Sequence, residues 1–445
     1  MKIKTFNKGI HPHYFKDLTD NLPIKEFELP DIISIPLSQH LGSPAKALKK
    51  KGDKVTVGEL IGEATGTVSA NIHSSIAGIV KNIIKKPLPG GSLVEHVEIE
   101  VNKEETKNHK FTKVDLKLDN LTPEEILEHI HKNGIVGMGG ATFPVYHKYK
   151  SAYTKIKEKP IDIFVVNGAE CEPFLTSDSR LMLEKTIEIL KGIEIVNKIF
   201  NFKKIYIGIE NNKMKSFMKF NELKAEFNMP IEVVPLKTKY PQGAEKMLIY
   251  SVSKRIVPKG GLPFDVGAVV SNIGTLYAIY EAFYFNKPSI DRVITITGDG
   301  INNPQNLLIP NGTKIEDIIK FCGNLKENTI KVILGGPMMG KTLQSLDYYT
   351  SKGTSGILCL TDKFFIQPEE KHCIKCSSCI SVCPMNLMPN RLAELAKAKY
   401  FDEIKKYDLY NCIECGSCAY SCPANIQIVG WIKYAKNIIR YKGLV

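Results

Sequence analysis

The sequence has no run of about 18 uninterrupted apolar residues, the length that a membrane-spanning helix needs. Its nearest approach, residues 268–285, contains Ser271, Asn272, Gly274 and Glu281, which would be costly in lipid. The chain is therefore expected not to span a bilayer. The opening residues MKIKTFNKGIHPHYF have a basic start but lack the apolar centre of a secretory signal, so the protein is expected to stay in the cytoplasm. Acidic residues are in deficit, with 47 Asp and Glu against 60 Lys and Arg, for a formal charge of +13. That excess suits an anionic leaflet, a nucleic acid or an acidic protein partner. The lysines are spread along the chain (Lys49 to Lys51, Lys203 and Lys204, Lys405 and Lys406) as in solvated faces, so no nucleic-acid groove is expected. Hydrophobic residues at 43% and charged residues at 24% place the chain among globular proteins that need no disulfide scaffold.

At 445 residues the chain is long for one domain, and it divides into segments of different texture. Within residues 1–110, the stretch 32–101 alternates short apolar runs with Gly, Pro and Ser, the pattern of many short strands. GDKVTVGELIG followed by SSIAGIV resembles the barrel-sandwich domains that carry biotin or lipoate. No lysine stands between Val55 and Val80 to accept either group, which leaves a structural or docking role. Residues 122–134 read as a helix capped by Thr122, with Pro123 in its first turn and Gly134 at its end. Buried-strand runs at 161–168, 203–210 and 231–236 alternate with helical periodicity at 180–200 and 213–227. This implies a parallel, doubly wound sheet within residues 111–290. RVITITGDG, IEDIIKFCG and KVILGGPMMG, in residues 291–350, look like a β-grasp module. The remainder, 364–445, holds the cysteine motifs and the helical linker RLAELAKAKYFDEIKKY.

Eight of the 11 cysteines repeat one pattern, CxxCxxCxxxCP: Cys373, Cys376, Cys379 and Cys383, then Cys412, Cys415, Cys418 and Cys422. Three closely spaced thiolates can wrap one corner of an iron-sulfur cube, and in the bacterial two-cluster form the fourth reaches the other cube. One 4Fe-4S cluster is thus assigned to Cys373, Cys376, Cys379 and Cys422, the other to Cys412, Cys415, Cys418 and Cys383. Paired CxxC units also bind zinc, but the duplicated four-cysteine pattern with both prolines favours the clusters. The helical linker points to an α-helical ferredoxin-like domain. Cys322 and Cys359 stand alone and read as small buried hydrophobes.

Just after the first helix, GIVGMGGATFP bares its backbone at Gly137, Gly139 and Gly140, which suits either a turn or close approach to a phosphate or a planar ring. After the strand at 161–168 comes NGAECEPFLTSDSR, which puts Asn167, Glu170, Glu172, Asp178 and Arg180 at a strand's C-terminal end, where doubly wound sheets hold ligands. These two loops resemble the flavin- and NADH-binding subunit of respiratory complex I, whose loop reads GRGGAGFP and whose strand end reads NADEGEP. The full set is similar in order, over nearly the whole chain, to the C subunit of the Rnf electron-transport complex. That family has a carrier-like domain without its lysine, the acidic loop NGAECEP, a β-grasp module and two cluster motifs.

The resemblance implies a multidomain α/β chain with a barrel-sandwich N-terminal domain, a Rossmann-like FMN/NADH domain, an SLBB-like β-grasp module and a ferredoxin-like C-terminal domain. It implies non-covalent FMN on the backbone of Gly137, Gly139 and Gly140, with Asn167 on the ring side and Lys148 at the position of the loop's lysine. Phe143 would flank the dinucleotide and Glu172 would bind NADH near the nicotinamide, in an acidic loop that also brings Glu170; Glu172 and Lys148 are the candidates nearest the chemistry. Tyr240, Gly243 and Glu245 match the complex I segment YICGEET, and Asn272 with Thr275 match NNVET. Thr142 stands where complex I has its third glycine and Ala169 where it has an acid, so the flavin's hydrogen bonds are expected to differ. Val145 and Tyr146 replace the Thr-His more frequent in the Rnf family.

NADH surrenders two electrons as hydride while a cluster takes one at a time, and a flavin can do both. The function so implied is ferredoxin:NAD oxidoreduction coupled to Na⁺ or H⁺ translocation by integral-membrane partners. Iron-sulfur partner subunits and, indirectly, ferredoxin complete the path, with this chain peripheral on the cytoplasmic side of the cell membrane. Two other readings fit less of the sequence: a soluble subunit of a bifurcating dehydrogenase or hydrogenase, and a non-enzymatic electron wire supported only by Ala169. The tail from Trp431 mixes isoleucines with lysines and is expected to be a docking helix or an ordinary surface one.

Overall fold

The short N-terminal runs become two small antiparallel sheets in the computed structural model, which describes residues 2–156, 158–364 and 369–443. One sheet takes Ile32–Pro36, Leu93–Val101, Gly78–Pro87 and Lys54–Val55 in that order; the other takes Lys46–Ala47, Leu60–Glu63 and Ile72–His73. Ile33, Ile35, Ile61, Ile72, Val97 and Ile99 fill the space between them. At the hairpin joining Leu60–Glu63 to Ile72–His73, where a carrier would present its lysine, the chain docks on the next domain. Asn71 offers its carbonyl to Lys352 Nζ at 2.7 Å, and the Ser69 amide lies 3.4 Å from His147 Nε2.

The central domain has four parallel strands, β1 (Ile163–Gly168), β2 (Lys204–Glu210), β3 (Ile231–Leu236) and β4 (Ala268–Asn272), in the order β3-β2-β1-β4. The chain steps outward from β1 through β2 to β3 and then crosses back to lay β4 on the other side of β1, and that reversal opens a crevice at the strands' C-terminal ends. The first helix, α1 (Pro123–Lys132), has the expected start: Thr122 and Glu125 form a capping box. The periodic stretch at 180–200 is two helices, Ser177–Glu184 and α2 (Thr186–Phe200), because Lys185 leaves helical geometry at φ −126°, ψ 37°. The most apolar stretch of the sequence is β4 followed by α3 (Ile273–Phe285), buried together in the core. Helices α2 and α3 cross so closely that a Cβ at Gly192 would lie 2.1 Å from the Leu276 carbonyl oxygen. Among the described residues no helix is long and apolar enough to cross a membrane.

The β-grasp sheet is built from Asp291–Thr297, Gln305–Pro310, Thr329–Leu334 and Lys341–Thr342, with the helix Ile315–Phe321 packed on it. Its middle strand is Gly356–Thr361, which inserts between Asp291–Thr297 and Thr329–Leu334. Cys322 and Cys359 are buried in this core, as their isolation implied. The sheet's edge comes from the far end of the chain: Ile24–Glu26 lies parallel to Gln305–Pro310. Residues 2–26 act as a strap. Lys4 bridges to Leu236, Ile10 to Tyr240, the Gly9 amide donates to the Val382 carbonyl, and the Phe174 amide to that of Tyr14.

From residue 369 on, the described chain is helices and loops. The linker forms α4 (Pro389–Lys397) and the shorter Phe401–Lys405, and the tail forms α5 (Ile428–Tyr441), whose Ile428, Ile432, Ala435 and Ile439 pack on Leu392, Leu395 and Ile404. One face of the expected docking helix thus belongs to its own domain's core. The last two tail residues, Leu444 and Val445, lie outside the described residues.

Candidate functional site

The glycine loop lies across the C-terminal end of β4. Its base is closed by the Gly137 amide donating to the Phe143 carbonyl at 2.9 Å. The Met138 amide donates to Thr275 Oγ1 at 2.9 Å, while its carbonyl accepts from Arg292 at 2.6 Å. Gly139 presses on Asn272, where an added Cβ would be 3.2 Å from that residue's Cβ; Asn272 itself caps α3 and donates to Asp178 at 2.6 Å. Gly140 has φ +122°, a conformation that disfavours side chains, and a Cβ there would meet nothing within 4 Å. Exposed bare backbone facing open space at a sheet's switch point fits a planar, phosphorylated ligand. Gly137, Gly139, Gly140, Phe143, Asn272 and Thr275 are therefore gathered in one place.

The acidic loop beside it is held from below by two buried lysines that carry no local signal in the sequence. Lys16 Nζ donates to the carbonyls of Glu170 and Glu172 at 2.9 and 3.0 Å and also to that of Leu175. Lys213 Nζ donates to the Ala169 carbonyl at 2.8 Å and pairs with Glu210 at 3.3 Å. Glu170 is turned inward: its oxygens accept from the Asp178 and Ser179 amides at 2.7 and 3.2 Å, closing the N-terminal turn of Ser177–Glu184. Burial pushes its carboxyl up to about 7 against the pull of Lys16. Asn167 donates to the Gly243 carbonyl at 2.9 Å, and Lys148 pairs with Glu245 at 2.5 Å, so these four residues form the loop's rim.

Glu172 faces the β-grasp module. Its oxygens accept from the Met338 and Met339 amides at 3.1 and 2.9 Å, and burial pushes the carboxyl up to about 7. Gly336 must be bare, since a Cβ there would fall 2.3 Å from Glu172 Oε2. Tyr240 is 1% exposed and packs in a small cluster with Ile10 and Cys415, rimmed by Cys171, Met338, Val382 and Ile413. That cluster is where the acidic loop, the β-grasp loop and the cysteine domain meet.

In the cysteine domain, Cys383 leaves its own motif and lines one apolar cavity with Cys412, Cys415 and Cys418, walled by Leu387, Leu392, Val429 and Ile432. Cys379 has Cys422 as its thiol neighbour, while Cys373 and Cys376 are exposed. Both motifs share one backbone device. Lys375 and Ser377 flank Cys376 at φ 57° and 62°, and Glu414 and Gly416 flank Cys415 at φ 57° and 83°. Such turns gather thiols and amides on a concave side, the donor set a cubane needs; the Glu414 and Leu387 amides approach Cys412 and Cys383 sulfur at 3.4 Å. Among the described residues no three His, Cys, Asp or Glu are drawn together as a single-ion site. The thiols ring a space instead.

Sequence comparisons divide the chain in the same order. A family described as the RnfC barrel sandwich hybrid domain matches residues 4–104, the Nuo51 FMN-binding domain 130–281, the SLBB domain 293–342 and the 4Fe-4S dicluster domain 372–426. The chain is 45% identical over 443 residues to the C subunit of the proton-translocating ferredoxin:NAD(+) oxidoreductase complex of Clostridium ljungdahlii, covering 99% of this chain and 95% of that one. It is 39% identical over 447 residues to the C subunit of the Na(+)-translocating ferredoxin:NAD(+) oxidoreductase complex of Acetobacterium woodii, covering 100% and 99%. With the C subunit of the ion-translocating oxidoreductase complex of Rhodobacter capsulatus it shares 37% over 390 residues, 86% and 73% of the two chains. The chain belongs to the family of C subunits of the ion-translocating ferredoxin:NAD(+) oxidoreductase, or Rnf, complexes.

Proposed function

We propose that this chain is the NAD(H)-facing electron-input subunit of an Rnf complex, moving electrons between a dinucleotide and the complex's other redox subunits. Bound FMN supplies the change from hydride to single electrons. The work of the protein is positional. Gly137, Gly139 and Gly140 leave backbone free beneath the flavin, Asn167 lies on its ring side, Phe143 flanks the dinucleotide, and Lys148, steadied by Glu245, brings a cation to the rim. Gly243 carries Asn167, while Thr275 and Asn272 fix the glycine loop. Glu172 takes the nicotinamide end, so that the reacting carbon is held against the flavin with water kept out. None of these steps needs an acid-base side chain.

The cage of Cys383, Cys412, Cys415 and Cys418 is to exchange electrons with the flavin first, because Cys415 packs beside the acidic loop. The cage of Cys373, Cys376, Cys379 and Cys422, with two exposed ligands, is to pass them to another subunit. The observation that carries the reading is that Cys383 shares a cavity with the second motif's thiols, one of which, Cys415, packs in a cluster with Cys171 of the acidic loop. Integral-membrane partners move the ion, and this chain sits peripherally on the cytoplasmic side of the membrane. Anaerobic reconstitution with iron, sulfide and FMN followed by NADH titration tests this. NADH should bleach the flavin band in protein that shows two cluster signals by EPR; a flavin that NADH leaves oxidised would refute it.

A further inference from the structure

Tyr240 is among the largest fully buried side chains, yet its Oη has no hydrogen-bond partner among the described residues. A phenol O–H unbonded in an apolar setting forfeits its hydration without return, so such groups ordinarily find an acceptor. The backbone there is well held, with mutual hydrogen bonds between Tyr240 and Ile10 at 2.8 and 2.9 Å, so the ring's position is set by the strap. The ionisable groups acting on the phenol are Glu172, Cys171 and Cys415. Of these, Cys171 sulfur accepts from the Gly243 amide at 3.2 Å and lies at the rim, while Cys415 shares the buried core of the cluster with Tyr240 and Ile10. Cys415 sulfur has Ser417 Oγ at 3.4 Å as its other polar neighbour.

We propose that the Tyr240 hydroxyl donates a hydrogen bond to Cys415 sulfur when that thiolate holds its cluster, making Tyr240 a positioning residue that raises the reduction potential of the buried cluster. This rests on the cysteine assignment above. A donor aimed at a ligand sulfur stabilises the reduced, more negative cluster, and its effect is local. Tyr240, at the position that resemblance assigned to the dinucleotide site, would then act on the electron acceptor instead.

The test is Tyr240→Phe in cluster-loaded full-length protein, read by EPR-monitored redox titration. The buried cluster should become harder to reduce by about tenfold in equilibrium constant, or about 59 mV for one electron, while the exposed cluster keeps its potential. Thermal midpoints give a second reading: before loading, the variant should be at least as stable as the wild type, and after loading less stable. An unchanged buried-cluster potential at full iron content, or equal movement of both clusters, overturns the proposal. So does a variant already destabilised before loading, since its hydroxyl then has a partner within the protein. Wild-type protein that assembles no clusters would instead refute the underlying assignment.

Discussion

Lys352 carries a buried amine at the meeting point of three domains, and replacing it with methionine gives a pH-dependent outcome that can be worked out beforehand. Its Nζ donates to the Asn71 carbonyl of the barrel at 2.7 Å and to the Gly134 carbonyl beside the glycine loop at 2.6 Å, and it is 1% exposed. The imidazoles facing it, His40 and His73, are held neutral by burial, down to about 4 and about 3. With no opposing charge beside it among the described residues, desolvation lowers the Lys352 amine from its ordinary 10.5 to about 7. Between those values the unfolded chain carries a proton that the folded chain has released, so stability rises with pH across that window and falls again toward pH 7. At about 1.4 kcal/mol per pH unit the change is about 5 kcal/mol. Methionine removes that dependence but leaves two buried carbonyls without a donor, at roughly 1–3 kcal/mol each. Lys352→Met should therefore be near wild-type stability at pH 7 and several kcal/mol weaker near pH 10. Urea midpoints of both proteins across that range measure it, and a difference that does not vary with pH would refute the reasoning.

Cys383→Ala should abolish the buried cluster and spare the exposed one, although Cys383 sits in the first motif; iron analysis near half the wild-type content, with one EPR signal retained, is the expected result. Glu172→Gln should raise the KM for NADH on the order of tenfold, about 1.4 kcal/mol of binding, with flavin content unchanged. Ile432, 1% exposed, both lines the cavity and fills the core against α4, so Ile432→Ala should lower stability by about 2–5 kcal/mol in a denaturant titration.

The parts of this molecule that follow from local chemistry were legible in its sequence. Thr122, Pro123 and Gly134 announce α1 because a cap, a first-turn proline and a terminal glycine each act within one turn of the helix ends. The parallel sheet follows from apolar runs alternating with helical periodicity, and the cysteine motifs carry their identity in their spacing. The most apolar stretch, 268–285, is apolar because β4 and α3 are both core. What escaped depends on contacts between distant residues. Nothing near Ile24 or Gly356 says that they supply strands to one sheet. Lys16 and Lys213 look like ordinary solvated lysines until the acidic loop's carbonyls are seen to need them. Glu170 stands beside Glu172 in the same motif, yet the positive φ of 46° at Glu170 turns its side chain to a helix N-terminus while Glu172 meets the β-grasp loop. Residue type placed both at the crevice, and only the backbone separated their tasks.

The central claim is that electrons cross from the dinucleotide crevice through the Cys415 cage to the exposed cage. Protein loaded with FMN and both clusters, reduced with stoichiometric dithionite and mixed with NAD⁺, should lose both EPR signals as NADH appears. In Cys415→Ala the exposed cluster should stay reduced while the wild-type signal decays. NADH formed at the same rate in the variant, or wild-type clusters that persist in excess NAD⁺, would contradict the account.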